Sequence, residues 1–81
     1  MGNGQSKVNP PVNHQIEPNE LKTGDHIYRR LIGIKAAIGY HHGIVISTYP
    51  HIEVIEMTSA HGIRISSITE FLDGYSCRLV L

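Results

Sequence analysis

The chain has 81 residues, seven basic against seven acidic, and no formal net charge at neutral pH. That size allows at most one small domain with a modest core, and that balance argues against a nucleic-acid partner held by phosphate neutralisation. A single cysteine, Cys77, excludes an internal disulfide framework. It suggests a reducing compartment, and with no apolar run near the roughly 20 residues of a membrane span and no secretory leader the expectation is a cytoplasmic protein.

In chain order, residues 1–19 are rich in Asn, Pro and Gln, with Pro10-Pro11 and Pro18 among only scattered apolar side chains. Such a composition buries too little surface to offset ordering entropy, so a disordered arm is expected before a domain over 20–81. The arm opens "MGNGQSK", which places Gly2 after the initiator methionine and Ser6 four residues on, the Met-Gly-x-x-x-Ser pattern of N-myristoylation. The transferase needs an uncrowded glycine amine and a small hydroxyl residue. One acyl chain without a polybasic stretch or a second lipid gives only reversible membrane association.

From Leu21 the pattern turns strand-like. In "DHIYRR", His26, Tyr28 and Arg30 alternate with Ile27 and Arg29, and "GIKAAIG", bracketed by Gly33 and Gly39, reads as a loop between strands. "HHGIVIST" sets Ile44, Ile46 and Thr48 against Val45 and Ser47, the period of two of a half-buried strand. After the Tyr49-Pro50 turn, "HIEVIEMT" sets Ile52, Val54 and Glu56 against Glu53, Ile55 and Met57. A turn at Ala60-His61-Gly62 leads to the short strand "IRIS". Ser67-Ile68-Thr69-Glu70 then has capping-box spacing and predicts one helical turn through Leu72, stopped at Gly74. "SCRLVL" predicts a last strand running to Leu81. The fold class expected is α+β: a small antiparallel sheet with one short helix.

Six histidines are many for this length. Zinc requires three or four converging ligands at characteristic spacings. His41 and His42 are adjacent and so face opposite ways on a strand, His51 and His61 lie near turns, and His14 lies in the arm. No metal set and no cofactor is implied. Thiol chemistry is the other use of a fixed histidine, as the base that takes the nucleophile's proton.

Leu21-Lys22-Thr23-Gly24-Asp25-His26-Ile27-Tyr28, followed by Tyr40-His41-His42-Gly43-Ile44-Val45-Ile46, resembles the amino-terminal half of the lecithin retinol acyltransferase (LRAT) domain family. Phe71-Leu72-Asp73-Gly74 with Cys77-Arg78-Leu79-Val80 is similar to a weaker family segment, so the resemblance runs from about Leu21 to Leu81. It implies part of a permuted papain-like fold, in a lineage of acyltransferases and phospholipases that move fatty acyl groups through an acyl-cysteine. It further implies that His41 is the general base, that His42 is structural, and that Gly24 and Asp25 form the turn opening the first strand.

The resemblance is incomplete. Where the family carries a second site histidine, this chain has Glu56, either a carboxylate partner for His41 or, as favoured, a surface acid on a diverged chain. The family's nucleophile lies in an Asn-Cys-Glu-His-like motif opening a later helix, and these 81 residues hold no such motif. Cys77 sits in an apolar stretch with no helix start beside it and is expected to be an inert small hydrophobe. The expected function is therefore an LRAT-like domain acting on lipid acyl groups but lacking its nucleophile, a fragment or an inactive relative. The alternative is a small lipid-tethered interaction module. Expected partners are a lipid acyl donor or membrane surface, and a protein strand or second copy pairing with an open edge at Leu79 to Leu81.

Overall fold

A computed structural model describes residues 14–32 and 38–81. Its strands are β1 (His14–Gln15), β2 (His26–Ile32), β3 (Ile38–Ser47), β4 (Glu53–Thr58), β5 (Gly62–Ser67) and β6 (Arg78–Leu79), with one short helix, α1 (Ile68–Leu72). They form a single sheet in the order β1-β6-β2-β3-β4-β5, and every neighbouring pair is antiparallel. The α+β class expected from the alternation is the one observed. Among the described residues no helix is long and apolar enough to cross a membrane.

The period of two decides which face is covered. Ile27, Val45 and Val54 share the inner face and are fully buried, with Phe71 of α1 packed against them and Leu21 and Cys77 completing the core. Ile16, Ile52, Ile68, Leu72 and Leu79 pack around this cluster. Tyr40, Ile44, Ile46, Met57, Ile63 and Ile65 point to the other face and remain exposed.

The helix is held at both ends by local chemistry. Glu70 N–H donates to Ser67 Oγ at 3.0 Å and Ser67 N–H to Glu70 Oε1 at 3.2 Å, so both halves of the capping box form. The left-handed stop begins one residue earlier than expected, at Asp73 (φ 49°), and continues through Gly74 (φ 87°). Ile68 N–H donates to Ile52 O at 3.0 Å, which places the helix over β4. Before β2, Gly24 (φ 96°) makes the predicted turn. Its N–H donates to Val45 O at 2.7 Å, while Val45 N–H donates to Asp25 O at 2.9 Å.

Several boundaries differ from those read in the sequence: β3 begins at Ile38, inside the Gly33–Gly39 stretch read as a loop, and β4 at Glu53 rather than His51. Ordered structure begins before residue 20, because His14 and Gln15 pair with Leu79 and Arg78, Ile16 N–H reaches Cys77 O at 3.0 Å, and a 3-10 turn covers Pro18–Glu20. A polar composition did not prevent pairing, since a strand needs only main-chain groups and a waiting neighbour. The first full strand, β2, extends through Ile32. The last strand is only Arg78–Leu79 and lies between β1 and β2, so no open edge exists there; the sheet's outer strands are β1 and β5. Of the "LVL" segment Leu79 packs onto the core, while Leu81 is 83% exposed. Gly2 and most of the expected arm, and most of the loop between β2 and β3, lie outside the described residues.

Candidate active site

Register builds the site. Arg29 pairs with His41 and Ile27 with Gly43 across β2 and β3, while Glu56 of β4 pairs with Gly43 and Arg64 of β5 pairs with Glu56. All these inner-face residues surround Gly43, and there is a steric reason for glycine. A Cβ at that position would meet Val54 Cγ1 at 2.5 Å, Phe71 Cε1 at 2.8 Å and Ile55 O at 3.1 Å. The missing side chain lets the Phe71 ring close over the strand and stack on the His41 ring, at 5.2 Å between centroids and an interplanar angle of 26°.

His41 Nε2 lies 2.5 Å from Glu56 Oε1. Glu56 is 7% exposed, so the expectation of a surface acid is overturned: it is a buried carboxylate bound to the histidine. A buried carboxylate persists only if its oxygens are satisfied. Oε2 accepts from Ser66 Oγ and from Arg64 Nε, the latter at 3.2 Å, and Arg64 Nε also lies 2.9 Å from Ser66 Oγ. Burial alone would push the Glu56 pKa up, but the hydrogen bonds from Ser66, His41 and Arg64 outweigh it and hold the carboxyl below its usual range.

The ionised Glu56 only accepts, so Nε2 of a neutral His41 carries the ring proton and Nδ1 keeps its lone pair. Among the described residues no hydrogen bond occupies Nδ1. The histidine opens on a groove of about 470 Å³ that Arg29, Leu31, Arg64 and Glu70 also line. Arg29 closes one side: its Nε–H donates to Phe71 O at 2.7 Å, and its guanidinium lies 5.3 Å from the Tyr75 ring centroid. The last turn of α1 holds no basic residue, and Arg29 supplies a cation to its carbonyl end from the sheet.

The other sequence candidates fall elsewhere. His42 faces the opposite side of the sheet, where its Nδ1 lies 2.9 Å from His26 Nε2 and its ring stacks on Tyr28 at 5.5 Å. Burial, then the neighbouring His26 and His41, pushes its pKa down. Cys77 is 3% exposed in the core and does not line the groove, and burial, with Asp25 nearby, pushes its thiol up to about 11. A neutral buried thiol is a poor nucleophile.

Sequence reasoning missed Arg29, Arg64, Ser66 and Phe71. A signal for two of them was present in "IRIS". Ile63 and Ile65 face outward, 65% and 59% exposed, while Arg64 and Ser66 face inward. A strand with its polar residues turned to the covered side marks a polar site there, but the sequence alone does not say which side is covered. Comparison of the chain with protein-family models, with curated proteins and with solved structures finds no match.

Proposed function

We propose that the chain carries the histidine–carboxylate half of an LRAT-like thiol acyltransferase or phospholipase site, with His41 as general base and Glu56 as the group that orients it. The observation behind this reading is the 2.5 Å contact that fixes His41 Nε2 and leaves Nδ1 toward chemistry. In such a site Nδ1 takes the proton of a cysteine thiol and the thiolate attacks an acyl carbonyl. The tetrahedral intermediate then collapses as His41 returns the proton to the departing alcohol, leaving an acyl-cysteine. An acceptor alcohol or amine, or water, reverses the sequence. A carboxylate in place of the family's second histidine makes the triad Cys-His-Glu, in which a fixed negative charge stabilises the imidazolium as acids do in serine hydrolases. Cys77 is not the nucleophile, so the thiol belongs to another segment, and these residues alone are inactive. Reversible membrane association through myristoylated Gly2 would bring the site to lipid acyl donors.

The second reading is a lipid-tethered interaction module, favoured by the uncovered Met57, Ile63 and Ile65 on β4 and β5. The intact mass of the protein from its own cells, followed by acylation of that form with a lipid acyl donor, separates the two. The enzyme reading expects a mass beyond Leu81 and a thioester-bound acyl group that His41→Ala abolishes while the fold persists. A mass ending at Leu81, with no acyl uptake beyond a myristoyl on Gly2, overturns it in favour of the module.

A further inference from the structure

β2 outruns β6. Tyr28 pairs with Arg78, and β2 continues to Ile32 while β6 begins at Arg78. Two residues past that pair, Arg30 therefore stands on the same face as Arg78 and diagonally from it, within reach for side chains of this length. The two arginines line one hollow of about 290 Å³, closed by Gly74, Tyr75 and Ser76 of the loop entering β6. Among the described residues no acidic side chain lines the hollow and no ion pair involves either arginine. Arg78 Nε is cut off from solvent yet has no hydrogen-bond partner among the described residues. Adjacent like charges and a buried unpaired donor both cost stability, and both costs vanish when an oxyanion enters.

We propose that this hollow is a phosphate-binding site. On binding, the Arg78 guanidinium turns so that Nε–H and one Nη–H face the hollow as the planar fork that grips two phosphate oxygens, Arg30 supplies the second positive charge, and the Ser76 hydroxyl is the neutral donor at the rim. The hollow is larger than a phosphate ion, which fits a phosphate ester, borne either on a lipid headgroup or on a soluble metabolite. It lies apart from the His41 groove and shares no lining residue with it, so the proposal stands independently of the acyl-transfer reading.

The direct probe is the arginine Nε–Hε region of the NMR spectrum of the full 81-residue chain, titrated with inorganic phosphate at constant ionic strength. The Arg78 Nε–Hε signal is expected to move saturably with phosphate and not with chloride. Arg30→Gln, at an exposed position, should weaken binding about tenfold, as should Arg78→Lys, which keeps the charge but loses the fork. Lys22→Gln, an equal loss of charge in the turn before β2, should leave binding unchanged. Sedimentation with phosphatidylcholine vesicles containing phosphatidic acid identifies the source. Retention lost in Arg30→Gln assigns the site to a lipid phosphate, and a phosphate shift without retention assigns it to a soluble ester. A linear shift shared with chloride, or equal binding by Arg30→Gln and Lys22→Gln, overturns the proposal.

Discussion

Glu56 does not pair with His41 across the sheet. It pairs with Gly43, and its carboxylate reaches diagonally to Nε2 of a histidine two residues away on the neighbouring strand. The diagonal is open because the residue directly opposite has no side chain, so glycine, histidine and glutamate form one steric unit. Each part of that unit can be tested.

Glu56→Gln keeps the shape and removes the charge. An amide has one oxygen to offer where the carboxylate satisfies His41, Ser66 and Arg64, and its NH2 must then face a donor. A loss of about 2 kcal/mol is expected, read as a lower denaturant midpoint at pH 7. The wild-type protein should show the matching pH dependence. The native pKa of Glu56 lies below the ordinary value of 4.5, so its contribution is present above that pH and is lost as pH falls through the native value. The gap between wild type and Glu56→Gln should therefore narrow in acid, and a gap constant to the lowest pH at which both fold would contradict this account.

Gly43→Ala should destabilise by about 1–3 kcal/mol through overpacking against Val54 and Phe71. Ring-current shifts on His41 should change with it, because the displaced Phe71 ring is the one stacked on the imidazole. An unchanged melting temperature with unchanged His41 shifts would show that the ring does not close over Gly43.

Cys77 should resist iodoacetamide in the native state at pH 8 and react on unfolding in denaturant. With its thiol pushed up to about 11 from an ordinary 9.0, the native protein holds that proton where the unfolded chain would release it. This contribution to stability is complete below about pH 9 and disappears as pH rises toward 11. Rapid native labelling would place Cys77 outside the core and reopen it as a nucleophile.

His42 should titrate below the ordinary histidine value of 6.5, followed through its ring carbon-bound protons. One proton can bridge His26 Nε2 and His42 Nδ1, but two cannot. Because the native state resists protonation of His42 more than the unfolded chain does, His42 withdraws stability as pH falls below about 6.5. Replacement of His26 by Gln removes the neighbouring charge and should raise the His42 midpoint; a fall would mean that His26 supports the protonated form.

Much of the fold was legible from the period of two and from short-range hydrogen bonding. Val45 against Ile44, Val54 against Ile55, the Ser67–Glu70 box and the Gly24 turn are decided within a few residues, so the sequence names them directly. His41 was legible as a candidate through the family resemblance of the Tyr40–Ile46 stretch and as a histidine fixed at the start of a strand. What its neighbours do was not legible. Whether Glu56 is a surface acid or a buried partner depends on which face α1 covers and on a register that sets β4 diagonally to His41, relations between residues 15 positions apart. The same holds for β1, whose polar residues carry no strand signal until β6 offers them an unpaired edge. Local periodicity determined the longer strands and which of their residues share a face. Long-range pairing, which depends on which edges and faces meet, decided that a histidine, a carboxylate, a serine and an arginine would share one site.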